Sequence, residues 1–128
     1  MNREIKFRGQ KVDTKEWVYG VPLDNGNGVV RIIHLSSEDS LTFIFTEVIP
    51  ETIGQLVGLN DKNNNPIYEG DIIKSWFGEW NDVIIWDSRY AQFTAGGGEF
   101  GCELHPDKVE VIGNIFESPE ILNQNKEK

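Results

Sequence analysis

Three carboxylates, Asp61, Glu69 and Asp71, fall within eleven residues of one another. Carboxylates at this density could hold Mg²⁺ for phosphoester hydrolysis, where one or two of them suffice and substrate phosphate completes the shell. The competing reading is structural. Asp61 and Asp71 stand in turns whose backbone N–H groups a short acidic side chain can cap, and Glu69 is solvated. In a chain with 21 acidic residues, three close together carry little weight, and their spacing matches no metal motif. Cys102 and His105 are no better placed for nucleophilic catalysis. They lie three residues apart beside Pro106 in a non-helical segment, without a third group to orient the pair. One Cys and two His fall short of the four ligands of a structural zinc site. Gly96-Gly97-Gly98 lacks the Lys-Ser/Thr ending and the following helix of a phosphate loop, and reads as a hairpin tip. The expectation is therefore no catalytic residue, no cofactor and no metal.

The denser cluster is aromatic. Trp76, Phe77, Trp80, Trp86, Tyr90 and Phe93 occupy eighteen residues. Stacking on single-stranded bases would need a cationic groove. Residues 75–93 hold one Arg and no Lys against Glu79, Asp82 and Asp87. Core packing accounts for most of the six. Trp76, Trp80 and Tyr90 are the candidate protein-binding patch, since Trp and Tyr dominate interface hot spots, with Trp80 in a polar turn.

These side chains must be positioned by strands. The chain of 128 residues contains 14 Ile and 10 Val against 7 Leu and 2 Ala, with 14 aromatics. That balance favours β structure. Glu4–Arg8 alternates as a half-buried strand. Trp17, Tyr19 and Val21 share one face of a second strand that Pro22 is expected to end. Asp24-Asn25-Gly26-Asn27-Gly28 is a tight turn into Val29–Leu35. Leu41, Phe43 and Phe45 alternate in a further strand, completing a meander. A short strand follows Pro50. Glu69-Gly70-Asp71 turns into a strand as in a small SH3-like barrel. Val83–Trp86, apolar throughout, is expected to be covered on both faces, and Val109–Phe116 is the last strand. Ser118 and Pro119 open a helical turn. The expected architecture is all-β: an N-terminal meander (about 1–49) packed with a C-terminal SH3-like small barrel (about 50–122) in one domain, with 123–128 as a frayed tail.

Composition bounds the function. The net charge is −9, and it is uneven. Residues 1–19 carry five Lys/Arg and three Asp/Glu; residues 20–128 carry seven and eighteen, or −11. Such a chain repels phosphate backbones, so nucleic acid is not an expected partner. Arg3, Lys6, Arg8 and Lys11 read as the solvated side of the first strand. No run approaches the roughly 18 apolar residues of a membrane span. A single cysteine excludes an internal disulfide, and Met1–Ile5 shows no apolar leader, which together fit a reducing cytoplasm.

Four stretches resemble the YopX family of phage and prophage proteins. They are Arg3-Glu4-Ile5-Lys6-Phe7-Arg8-Gly9 with Trp17-Val18-Tyr19-Gly20, then Glu51 to Lys62, then Ile67-Tyr68-Glu69-Gly70-Asp71-Ile72-Ile73, and finally Glu110 to Glu120. The match runs in order along essentially the whole chain. The resemblance implies a small, mostly β protein of a temperate phage, acting in the cytoplasm of the bacterial host. It carries over no catalytic or binding residue. The expected function is a non-enzymatic module that binds a host or phage protein or associates with itself as a homo-oligomer. The alternatives are an acidic decoy that occupies a nucleic-acid-binding host protein, and a metal-dependent phosphoesterase built on Asp61, Glu69 and Asp71.

Overall fold

The computed structural model describes residues 4–74, 81–88, 91–95, 102–103 and 109–123. Eleven strands account for most of them: β1 (Phe7–Gln10), β2 (Trp17–Asp24), β3 (Val30–Leu35), β4 (Phe43–Val48), β5 (Gly54–Asn60), β6 (Pro66–Tyr68), β7 (Asp71–Lys74), β8 (Asn81–Asp87), β9 (Gln92–Ala95), β10 (Cys102–Glu103) and β11 (Glu110–Asn114). A 3₁₀ turn at Pro50–Thr52 precedes β5, and a one-turn helix, α1 (Glu120–Asn123), follows β11. The protein is mostly β, as the Ile/Val excess predicts. It forms two compact units, residues 1–56 and 57–128.

In the first unit the sheet order is β4-β3-β2-β1-β5, all of it antiparallel. Paired residues share a face, so the register assigns every side chain to one of two sets. One set is the core: Val18, Val30, Ile32 and Val48, with Phe7 and Ile53 packed against them. The closing turns are held by short polar side chains. Asp24 Oδ1 accepts the Gly26 N–H at 2.8 Å. Thr52 Oγ1 accepts the Gln10 N–H at 2.9 Å and donates to the Ile49 carbonyl at 2.6 Å.

Pro22 does not end β2; it pairs with Ile32 in mid-strand. The reason lies in the register. Trp17–Gly20 pair with β1, whereas Val21–Asp24 pair with β3. Pro22 therefore lies outside the β1-paired stretch, where a missing N–H breaks no β1 ladder bond. The basic first strand is not uniformly solvated either. Arg8 is buried, its guanidinium 4.3 Å from the Trp17 ring centroid, while Lys6 lies 5.6 Å over Tyr19 and 3.8 Å from the Glu4 carboxylate. Arg3 is outside the described residues.

In the second unit β10-β9-β8-β7-β11 form an antiparallel sheet over a core of Val57, Ile67, Ile73, Ile84, Ala95 and Val109. Among the described residues no pairing joins β10 to β11. β11 returns beside β7, with a bulge between Val111 and Gly113. The Gly70 turn into β7 fits this return closely. Gly70 has φ +92°, its N–H donates to the Ile84 carbonyl at 2.8 Å, and its carbonyl accepts the Ile115 N–H at 3.0 Å. A Cβ at Gly70 would stand 3.0 Å from a Phe116 ring carbon. The Glu-Gly-Asp turn and the Gly-Asn-Ile-Phe stretch, forty-odd residues apart, are thus two halves of one corner.

β8 is covered on both faces along most of its length: Ile84 is fully buried on one face, and Val83 and Ile85 on the other are half-buried, while Trp86, on the Ile84 face near the end of the strand, is 48% exposed. The helical turn starts at Glu120, one residue after the expected Pro119, and the Ser118 carbonyl accepts the Ile121 N–H at 3.1 Å.

Asp82, opposite Ile73 in β8, is the strained charge of this sheet. Burial pushes its carboxyl pKa up. A folded pKa above the unfolded one adds stability below the unfolded value, and that contribution is lost as pH rises through the folded value. Asp82→Asn, with the same shape and no charge, is therefore expected to raise the urea midpoint at pH 7. The gain should vanish below about pH 4, where Asp82 is protonated in both states. An equal gain at both pH values would assign the effect to something other than this charge.

Candidate functional site

Two of the three carboxylates that could hold a metal, Asp61 and Asp71, are occupied by the backbone; Glu69 is half-buried. Asp61 Oδ1 accepts N–H donors from Asn63 (2.9 Å) and Asn65 (2.8 Å), and Oδ2 accepts Val111 N–H at 2.9 Å. Burial by itself raises this carboxyl; the donors of Val111, Asn65 and Asn63 outweigh it and hold the pKa below the ordinary value. Asp71 Oδ2 accepts the Tyr68 N–H at 2.8 Å. Among the described residues no three His, Cys, Asp or Glu side chains are grouped to hold a metal ion. His34 spans a neighbour and a cross-strand hydroxyl. Its Nδ1–H donates to the Leu35 carbonyl at 3.2 Å and Nε2 accepts from Thr46 Oγ1 at 3.0 Å, a tautomer assigned from the carbonyl partner. Asn114 works like the two aspartates, its Oδ1 accepting N–H from Phe116 and Glu117.

Trp76, Trp80 and Tyr90 lie outside the described residues, as do Phe77, Gly96–Gly98 and His105; of Cys102 only the backbone, in β10, is described. The two remaining aromatics of the cluster are neighbours. Trp86 and Phe93 face each other across β8 and β9, with ring centroids 5.1 Å apart and planes at 72°. Phe93 leans on the core and Trp86 is half in solvent.

A different surface stands out. On the face of β2-β3-β4 opposite the first unit's core, the register sets Val21 beside Ile33 beside Phe45, Leu35 beside Phe43, and Leu23 beside Arg31 beside Glu47. Tyr19 lies on the same face as Val21, two residues earlier. Most of these apolar side chains are in water: Phe43 is 65% exposed, Val21 56%, Phe45 55%, Leu35 50%, Tyr19 43% and Leu23 40%. Single exposed apolar residues are ordinary, but a contiguous set on one sheet face marks an interaction site. The preceding loop fixes the end of β4. Asp39 Oδ1 accepts the Leu41 and Thr42 N–H groups and Oδ2 the Thr42 hydroxyl, bonds that hold its pKa low.

This surface carries a sequence signal that the strand pattern alone did not interpret. Alternation in Trp17/Tyr19/Val21 and Leu41/Phe43/Phe45 shows that one side is apolar, and the usual inference is that this side is buried. Here the core is supplied by the other set. β3 holds the clue, because Val30-Arg31-Ile32-Ile33-His34-Leu35 is apolar on both faces.

The fold and this surface define a small, mostly β protein of two antiparallel sheets, one of which presents an apolar face to solvent. The chain belongs to the YopX family: the family model described as YopX protein matches residues 6–123. It is similar to the crystal structure of protein EF1440 from Enterococcus faecalis, at 26% identity and a TM-score of 0.59, covering 94% of this chain and 99% of that one. No curated protein matches it. Among the described residues no helix is long and apolar enough to cross a membrane.

Proposed function

We propose that this chain is a non-enzymatic binding module of a phage or prophage, acting in the bacterial cytoplasm, and that its contact surface is the exposed face of β2-β3-β4. The carrying observation is the contiguous row of solvent-facing Phe43, Phe45, Val21, Leu35 and Tyr19. Supporting it, the family's motif residues serve the fold: Thr52, Asp61, Asp71 and Asn114 each bind backbone N–H groups. Side chains committed in that way leave recognition to the apolar face.

The test is a double variant, Phe43→Ser with Phe45→Ser. Both side chains are exposed, so far-UV dichroism and the thermal midpoint should change little. Protein retained from nuclease-treated host lysate by the unaltered chain should be lost. A variant that retains the same protein in the same amount would remove this face from the reading.

A further inference from the structure

We infer that the occupant of this face is a second copy of the chain, packed face to face about a two-fold axis. The inference rests on reading the β2-β3-β4 face as the contact surface, and it adds the partner.

Two observations select a copy over another partner, and a third bears on the strength of the contact. The first is composition. Homodimer interfaces are the most apolar class of surface contact, and charged groups are depleted at their centres. The middle row of this face, Val21-Ile33-Phe45, and the Leu35-Phe43 row beside it contain no charge. The second is electrostatic. A chain of net charge −9 repels its own copies over most of its surface. Lys6 lies at the far side of this face over Tyr19, while on β3 and β4 the face carries one cation and one anion directly opposite each other, Arg31 and Glu47. Such a pair is self-complementary. An axis running along the strands between β3 and β4 sets Phe45 over Ile33, Phe43 over Leu35, and Arg31 over Glu47 of the other copy. Two-fold contacts require this reciprocity, in which residue i meets j and j meets i. The third is size. With this axis the contact is made by β3 and β4, whose Phe43, Phe45 and Leu35 offer roughly 350 Å² of apolar side-chain area per copy, taking about 200 Å² for each large side chain. That is the size of a weak interface, which forms only at high protein concentration.

Sedimentation velocity on the full chain, from low micromolar to several hundred micromolar, tests the inference. The unaltered chain should sediment as a dimer at the upper concentrations. Arg31→Glu makes the row all acidic and Glu47→Arg makes it all basic, so each variant alone should be monomeric. An equimolar mixture of the two should recover the dimer, because each row then faces its opposite. Far-UV dichroism of each variant confirms that the monomer is folded. A chain that stays monomeric throughout overturns the inference, as does a dimer that neither substitution weakens. The broader reading is judged separately. If the chain is monomeric but still loses a lysate protein on Phe43→Ser with Phe45→Ser, the face binds a different partner and only the second copy is excluded.

Discussion

Gly20→Ala is expected to cost about 3 kcal/mol or more of stability, read as a fall in the urea midpoint of the first unit. A Cβ at Gly20 would lie 2.1 Å from the Ile33 carbonyl oxygen and 3.0 Å from its carbon. Those atoms are backbone of β3, so relief requires moving one strand against another. Gly20 is also where β2 changes partner: it pairs with Phe7 of β1, and Val21 begins the ladder with β3. A side chain there would pry apart the junction on which both hairpins depend. Gly9→Ala provides the comparison. Its Cβ would meet only side-chain carbons of Val48, at 3.2–3.3 Å, and it should cost clearly less. Equal stability of Gly20→Ala and the parent chain would mean that β2 and β3 do not approach this closely.

Asp61→Asn is expected to lose about 2 kcal/mol at neutral pH. Asn retains one carbonyl oxygen for the Asn63 and Asn65 N–H groups, so the local turn survives. Its amide presents N–H where Oδ2 accepted the Val111 N–H, so the bond across fifty residues to β11 is replaced by two opposed donors. Nearby links, Lys62 N–H to the Val109 carbonyl and Asn63 to Glu110, should loosen with it. The pH dependence follows from the depressed pKa. A carboxyl whose folded pKa lies below its unfolded value adds stability above the unfolded value and loses it as pH falls through the folded one. The difference between Asp61→Asn and the parent chain should therefore shrink below about pH 4. Urea titrations at pH 7 and pH 3 check this. A difference that stays constant would assign the loss to geometry instead of charge.

The β content, the Asp24–Gly28 turn and the turn into Ile72 were legible in the sequence because each rests on local chemistry: branched side chains, Asn and Gly in tight turns, Asp before a strand. The structural reading of Asp61 and Asp71 was legible for the same reason. What local chemistry leaves open is which side of a strand faces inward. Phe43 and Phe45 alternate as cleanly as core residues do, and only the pairing of Val48 and Val30 on the opposite side shows that the core is there. Pro22 was misjudged because its tolerance depends on which neighbour β2 has at that point, a long-range fact. Arg8 was misjudged because Trp17, nine residues away, covers it. The Trp76, Trp80 and Tyr90 patch remains an expectation from residue type and density.

The two sheets also differ in when they can be built. β1 to β4 are joined in chain order by successive hairpins, so their pairings close short loops and can form while the rest of the chain is still being made. β7 gains its second neighbour only when β11 arrives, from Glu110 onward, and the Asp61 clip waits for the same segment. On a ribosome the first sheet, with its apolar outer face, is thus exposed to its surroundings before the second unit is complete. Were a second copy the occupant of this face, it would find the face already exposed on the nascent chain.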